Sequence, residues 1–530
     1  MMRCTVQARG HMLADIEIVW DSLRWQFEGI AIDVSVDLDI VTRGYVPRTI
    51  EFSVPIGDTF TRWVSGHAWE SIGVTVRVNG EIYSTSPVVG MSTSGVGGNG
   101  NVMTTIRVAD QPAEESPVPP LTDVTLRTVD QQATRNALAA AVKAKNIAQA
   151  RTPNNNDFSD SGGKDISAVP AELGSAWTGP GNVYALAVQG LAMPLPFGQP
   201  GKDSTPAYRI LQIDSAQRRL LVAAFPMKGT VSVQKAPFTT WYVYTVQTYT
   251  LAGREVSIIQ IPTYPGIPDD ESYDETSSFY VAFDGTAEGL PGGAADVCEW
   301  LLDHTDGVRC DYASWASVRA RLAPYTFDTC LDQTGDAWQI LTGDVLPLLP
   351  IQLIPTPYGI GAVWVELDPA RAKFRKRAAY RSSLDSAGDA SVRFTTTQPV
   401  TAAIVGFAPI ATSSGYAGSV LADATTIDVA RRLASQVRGK TKRLDTPWVR
   451  DRSVAQLIAN NLVRSGCLRY APIEGQADPA MHGDEGSQPL HVADVVDLYN
   501  DDGQIEASGI ILSERRTADD LRFTVGILQQ

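Results

Sequence analysis

The stretch Ile30–Ile40, IAIDVSVDLDI, decides the fold class of the first part of the chain. Six apolar residues occupy every second position, and Asp33, Ser35, Asp37 and Asp39 occupy positions between them. Successive side chains of a strand point to opposite faces of a sheet, so this alternation predicts a half-buried β-strand. The acidic face is expected to meet solvent or a channel.

The same alternation recurs on both sides of a turn. Val74–Val78 is followed by Asn79, Gly80 and then Ile82. Asn-Gly accepts the positive φ of a tight hairpin turn, so this pattern predicts two antiparallel strands. A further strand is predicted at Thr104–Val108. Residues 1–110 are therefore predicted to form an all-β domain.

Residues 111–179 are predicted to be a linker with one helix. Residues 111–120, QPAEESPVPP, are rich in proline. Asp130 is a candidate N-cap for a helix that extends to Ile147, and residues 153–164 are a polar loop. This linker suggests that residues 1–110 form a separable module.

Residues 180–292 are predicted to be a second β-rich domain, because β-branched and aromatic residues dominate several short runs. The acidic loop Asp269–Glu275 is open to two interpretations, a calcium ligand set or a mobile acidic loop, and the second is favoured. The predicted strands are Tyr208–Ile213, Leu220–Phe225, Trp241–Thr250 and Val256–Ile261.

Residues 293–385 are predicted to be α/β. Apolar residues at helical spacing predict three helices, and a strand is predicted at Ile360–Glu366. The three sets are Val297, Trp300, Leu301 and His304, then Tyr312, Trp315, Val318 and Leu322, then Trp338, Leu341, Val345 and Leu348.

Residues 386–530 are predicted to be a C-terminal α+β domain. Ile427–Val437 and Val454–Leu462 have helical spacing, with Asp451 as the N-cap of the second helix and Gly466 at its end. The predicted strands are Ser391–Thr396, Ala402–Phe407, Val492–Leu498, Ile510–Glu514 and Leu521–Ile527. The whole chain is thus predicted to be a multidomain, β-rich α+β protein.

Composition limits the function classes. The chain has 530 residues, 44% of them hydrophobic, which is typical of a globular protein and not of a disordered one. Its net charge of −15 argues against a protein that binds nucleic acid or anionic membranes. The apolar window Val345–Val365 contains four prolines, so no stable membrane insertion is expected. A soluble protein made in a reducing cytoplasm is expected, since the five cysteines are scattered and odd in number.

No motif predicts catalysis. Gly95–Gly100 matches a dinucleotide-binding glycine pattern, but a strand and not a helix is predicted after it. Cys298, His304, Cys310 and Cys330 form a possible zinc or iron–sulfur set, yet no two lie close enough for one turn to aim both at a metal. Buried structural thiols are favoured. We therefore predict that the chain is not an enzyme. We also predict that it has no catalytic, cofactor-binding or metal-binding residue and that it uses no cofactor.

The run Arg371–Arg381 carries six basic residues in an acidic chain. Two interpretations remain, a solvated or internally balanced face, which is favoured, and a patch that binds an acidic neighbouring subunit rather than DNA.

The stretch Asp296–Trp364 resembles a segment of bacteriophage tail-tip and baseplate hub proteins. The positions that carry the resemblance are Trp300-Leu301-Leu302, Asp311, Trp338, Leu341 and Gly359–Trp364. The C-terminal part is similar too, with a helix near Asp428–Val437 and a strand at Asp494-Val495-Val496. The family often has Gly-Asp at the start of that strand, and here Ala493 replaces the glycine.

The resemblance implies an N-terminal β-barrel-like domain followed by mixed α/β hub domains. It implies a structural virion protein at the tail tip, assembled in the host cytoplasm, that forms a homotrimeric ring. Its implied partners are the distal tail protein, the tape measure protein and tail fibre or tip proteins, with DNA only in passage. Alternatives are a receptor-binding tail protein and a tail-associated peptidoglycan hydrolase. The host, receptor and tail type are not indicated.

Overall fold

The first six strands form an N-terminal barrel. The fold is taken from a computed structural model, which describes residues 12–20, 23–39, 44–54, 72–78, 80–94, 103–109, 191–214, 218–235, 241–251, 253–262, 278–333, 335–367, 372, 376–379, 399–413, 415–435, 438–467, 469–477, 492–499, 504–516 and 521–527. The barrel strands are β1 (Met12–Trp20), β2 (Leu23–Asp39), β3 (Gly44–Val54), β4 (Gly73–Val78), β5 (Glu81–Ser94) and β6 (Met103–Ala109).

These six strands follow the order β1-β4-β5-β6-β3-β2, and pairing of β1 with β2 closes the circle. The predicted hairpin is confirmed, because Val78 pairs with Glu81 across a two-residue turn in which Gly80 has φ 81°. Ile32, Val74 and Val76 are fully buried, as the alternation predicts. The predicted β-barrel-like N-terminal domain is thus confirmed.

The second sheet is curled, and its two end strands, β11 and β12, follow each other directly in the chain. Its order is β11-β10-β14-β8-β9-β13-β12, and only the buried Val246 separates β11 from β12. The single strand predicted at Trp241–Thr250 is therefore two strands, and β10 and β14 were not predicted. The strands are β8 (Tyr208–Asp214), β9 (Arg219–Ala223), β10 (Thr230–Lys235), β11 (Trp241–Thr245), β12 (Gln247–Leu251), β13 (Arg254–Gln260) and β14 (Phe279–Ala282). A short strand, β7 (Leu195–Phe197), precedes them.

The helical part follows the predicted spacing. Helices α1 (Ala294–Asp303) and α2 (Tyr312–Leu322) are regular, and β15 (Thr329–Leu331) pairs with β7. Helix α3 (Ala337–Gln339) continues as a π-helix over Ile340–Val345 and a 3-10 helix over Leu346–Leu348. Strand β16 (Ile351–Thr356), which was not predicted, follows and pairs with β17 (Gly359–Trp364).

The C-terminal part adds a three-stranded sheet and two helices. Strand β19 (Val400–Pro409) lies between β20 (Tyr416–Ala422) and β21 (Lys440–Asp445). Helix α4 (Asp428–Ala434) precedes α5 (Arg452–Gly466), whose predicted N-cap is confirmed: the Asp451 carboxylate accepts a hydrogen bond from the Ser453 amide at 2.7 Å. The remaining strands are β18 (Lys376–Ala379), β22 (Arg469–Ala477), β23 (Val495–Tyr499), β24 (Ile505–Arg516) and β25 (Leu521–Ile527).

The N-terminal barrel shares both its sheet and its core with distant parts of the chain. Strand β2 pairs with β24, from Val36 opposite Arg516 to Asp39 opposite Ser513. The buried cluster of the barrel also contains Val365 and Ile510. Residues 1–110 therefore do not enclose this core by themselves, and the C-terminal strands are part of it.

Several predicted features lie outside the described residues. These are the linker and helix of residues 111–179, the loops Gly95–Gly100 and Asp269–Glu275, the strand Ser391–Thr396, and the side chains of Asp33, Asp37 and Asp39. Within the part of the chain that the structure covers, no helix is both long and apolar enough to cross a bilayer.

Candidate functional site

The cysteines considered as metal ligands lie in different environments. Cys298 is buried on α1, and burial raises the pKa of its thiol well above the ordinary value. Burial, with the nearby Asp303 carboxylate, raises the pKa of Cys310 to about 12. Cys330 packs against the core of the curled sheet. Among the described residues, no three His, Cys, Asp or Glu side chains come together as a metal site requires.

His304 contacts Trp300 on the preceding turn of α1. Its ring stacks on Trp300 at 3.8 Å between centroids, and its Nδ1 lies 2.8 Å from the Trp300 carbonyl oxygen. Next to it, the Tyr312 hydroxyl donates to Asp303 at 2.6 Å. These contacts join residues at the end of α1 to each other and to Tyr312 of α2, and they do not pair a nucleophile with a base.

A buried arginine joins three parts of the fold. Arg450 follows β21, and its side chain is 1% exposed. Its Nη1 donates to Asp203 Oδ1 at 3.0 Å and to Thr205 Oγ1 at 2.6 Å, and its Nη2 donates to the Pro409 carbonyl at 3.0 Å. Burial lowers the pKa of Arg450, and Asp203 partly offsets this effect. A buried guanidinium needs such partners, because an unpaired buried charge is strongly destabilising.

A second ion pair lies beside it. Lys202 Nζ is 2.5 Å from Asp328 Oδ2, and Asp328 Oδ1 accepts from the Gln199 amide at 2.8 Å. The Asp328 amide donates to the Trp448 carbonyl at 3.0 Å. One polar cluster, formed by Lys202, Asp203, Asp328 and Arg450, therefore connects the segment before β8, the segment before β15 and the segment after β21. This polar cluster was not predicted, because nothing in the sequence pattern around Arg450 shows that this residue is buried.

Two basic segments form edge strands. The predicted run Arg371–Arg381 is described only at residues 372 and 376–379, where β18 pairs in parallel with β23 at one end of the sheet that also contains β24 and the six barrel strands. Strand β21, with Lys440, Lys442 and Arg443 exposed, pairs in parallel with β19. Charged side chains on edge strands oppose accidental strand pairing.

Strand β11 differs from these edges. No residue from Trp241 to Leu251 is charged. Val243 is 67% exposed and Tyr242 is 47% exposed, although the two side chains leave the strand on opposite faces. Among the described strands, β11 stands at one end of the curled sheet and pairs with β10 alone. This uncharged strand (Trp241–Thr245) is the best candidate for a contact surface.

Comparisons with known proteins give matches among solved structures. No family model and no curated protein matches the chain. Similar structures include a tail protein from Neisseria meningitidis, 8% identical, covering 98% of this chain and 97% of that one at a TM-score of 0.35. A 43 kDa prophage tail protein from Shewanella oneidensis is 10% identical, with coverages of 97% and 98% and a TM-score of 0.31. A prophage tail protein from Listeria monocytogenes is 9% identical, with coverages of 97% and 94% and a TM-score of 0.33.

These three structures, a tail protein and two prophage tail proteins, are each similar to this chain over nearly its whole length.

Proposed function

We propose that this protein is a structural component of a phage tail, acting as the hub of the tail tip or baseplate. The observation that carries the proposal concerns the two stretches that resemble hub proteins. Asp296–Trp364 and helix α4 are far apart in sequence, yet both contribute to one buried core, which contains Trp315, Leu341 and Leu433. The helices that carry the resemblance therefore share one core, whereas its strand at Val495 belongs to the core of the N-terminal barrel.

The proposed assembly is a homotrimer. The uncharged strand Trp241–Thr245 supports self-association, because a second copy can cover Val243 without burying any charge. The basic edge strands β18 and β21 are poorly suited to pair with their own copies, since like charges directly opposite each other repel. Closed rings are the usual way to satisfy such surfaces in soluble assemblies.

The proposed hub joins the tail tube, through the distal tail protein, to fibre or tip proteins, and lets the tape measure protein and DNA pass. The net charge of −15 supports passage without retention, because an acidic lumen repels phosphate. The role is structural, and neither catalysis nor a cofactor is part of the proposal.

The test is the mass of the purified full-length protein. Three copies of a 57.1 kDa chain amount to about 171 kDa, and light scattering over a range of concentrations should approach that value. A monomer at the highest concentration would contradict the trimer. A zymogram with peptidoglycan should show no clearing, and clearing would favour the hydrolase alternative.

A further inference from the structure

Strained backbone is concentrated around Arg450. Among the described residues, the non-glycine residues with positive φ are Ser204 at 59°, Arg218 at 50°, Ala408 at 54° and Ala493 at 71°. Two of these four adjoin atoms that Arg450 binds. Ser204 lies between Asp203 and Thr205, and Ala408 precedes Pro409. Side chains with a Cβ rarely adopt this conformation, and it persists only where the surroundings hold it.

The first strained segment is a connection between two parts of the fold. Strand β7 pairs with β15 of the helical part, and residues 198–207 lead from β7 into the curled sheet. The return connection runs alongside, since the Gly198 amide donates to the Leu290 carbonyl at 2.7 Å. The conformation of residues 198–207 therefore helps to set the direction in which the curled sheet leaves the helical part.

The second strained segment is the end of β19. The Ala408 amide donates to the Val449 carbonyl at 2.8 Å, next to Arg450. The Ala411 amide donates to the Pro206 carbonyl at 3.0 Å, which is a backbone bond between the two segments. The guanidinium spans the same gap with three hydrogen bonds. Its buried Nε has no hydrogen-bond partner within the described structure, so the contact is not fully satisfied.

We propose that Arg450 is a conformational latch. It holds residues 198–207 and the end of β19 in strained conformations, and so fixes the curled sheet against the helical and C-terminal parts. When the guanidinium loses Asp203, Thr205 and Pro409, both segments relax and the curled sheet gains freedom to reorient. This device stands on the geometry alone and is independent of the proposed function.

The test is hydrogen exchange of the full-length protein with Arg450→Met. The amides of Lys202, Ser204, Ala207, Ala408 and Ala411 are all hydrogen-bonded and serve as reporters. Their exchange should accelerate roughly tenfold or more, while α5 and the strands of the curled sheet keep wild-type rates. Unchanged reporters would overturn the latch, and so would acceleration spread evenly over α5 and the curled sheet.

The matched control is Arg443→Met. Arg443 is 63% exposed and pairs with Asp445 at 2.9 Å, so it carries the same group in an ion pair of similar length without burial or strained neighbours. It should leave the reporters unchanged, and an equal acceleration there would overturn the assignment to Arg450.

A second set of variants tests the strain directly. Ser204→Gly and Ala408→Gly should slow reporter exchange by about tenfold when Arg450 is present, because glycine adopts positive φ freely. The same glycines should have little effect in Arg450→Met, where the segments have already relaxed. If Arg450→Met does not fold, Arg450→Lys keeps the charge, removes the forked geometry and takes its place in the cycle. Equal effects of the glycines in both backgrounds would overturn the coupling.

Discussion

Replacing Ile510 with alanine should destabilise the N-terminal barrel, although Ile510 is more than half the chain length away from the barrel in sequence. Ile510 lies on β24, is fully buried and belongs to the same core as Ile16, Ile50 and Val74 of the barrel. Removing most of a buried isoleucine side chain costs about 2–5 kcal/mol, because transfer energy is lost and a cavity remains.

The matched control is on the same strand. Ile505 is 54% exposed, so Ile505→Ala should change the free energy of unfolding by only about 0.5 kcal/mol. The difference between the two variants is then at least about 1.5 kcal/mol, or roughly tenfold in an opening equilibrium.

Hydrogen exchange followed by mass spectrometry measures this difference locally. Peptides from β1, β3, β4 and β6 should exchange roughly tenfold faster in Ile510→Ala than in Ile505→Ala. Equal exchange in those peptides would refute the shared core. It would show that residues 1–110 are the separable module that the linker at residues 111–120 suggests.

Four further outcomes are expected. Gly359→Ala should destabilise the β16–β17 hairpin by more than about 2 kcal/mol in thermal unfolding, since Gly359 has φ 138° and a Cβ there would lie 2.2 Å from the Arg309 carbonyl oxygen. Gly343→Ala, where a Cβ meets nothing within 4 Å, is its control and should be tolerated. Asp451→Ala should cost α5 about 1 kcal/mol at neutral pH. The Ser453 hydrogen bonds lower the pKa of Asp451 in the folded protein. The stabilisation by this cap is therefore present above the unfolded-state pKa of about 3.9 and is lost as the pH falls through the lower folded-state pKa. If Asp451→Ala remained less stable than the wild type in strong acid, that result would contradict this account of the cap. Val243→Lys should leave the fold intact but shift the light-scattering mass from trimer to monomer, whereas Leu13→Lys, at a 57% exposed site on β1, should not. Elemental analysis of the native protein should find neither zinc nor iron in stoichiometric amount, and either metal would show that the cysteine interpretation is wrong.

Local pattern predicted much of the secondary structure. The alternation at Ile30–Ile40 and the Asn79-Gly80 turn gave strands and a hairpin, because both depend on residues close in sequence. The spacing of Val454–Leu462 and the Asp451 cap gave α5 for the same reason. The third helix was predicted from the spacing of its apolar residues, which did not indicate that its hydrogen bonds widen to a π-helix over Ile340–Val345. Pro347 follows, and it has no amide hydrogen to continue the helical hydrogen bonds.

What the sequence did not predict depends on distant pairing. Strands β7 and β15 have three residues each and are defined by their mutual hydrogen bonds, so neither has a pattern of its own. Strand β2 pairs with β24, which brings residues near 36 next to residues near 516, and no local sequence pattern predicts this pairing. In the sequence, nothing distinguishes Arg450 from the other basic residues, because its burial depends on segments that are distant in the chain.

At Ala493, by contrast, the sequence did indicate a conformation that depends on pairing with a distant strand. The hub resemblance places a glycine at this position, and the structure gives Ala493 a φ of 71°. The Ala493 amide donates to the Ile511 carbonyl, and the Ile511 amide donates to the Asp494 carbonyl, so pairing with β24 holds this conformation. The expected glycine thus has a physical reason, even though this chain departs from it.

Gold labelling of phage particles with antibodies against this chain tests the central proposal most directly. A hub predicts label at the distal end of the tail on particles that contain the protein, and nowhere else on the particle. Label on the capsid or along the tail shaft, or particles that carry no label although the protein is detected on denatured blots of the same particles, would contradict the assignment to the tail tip.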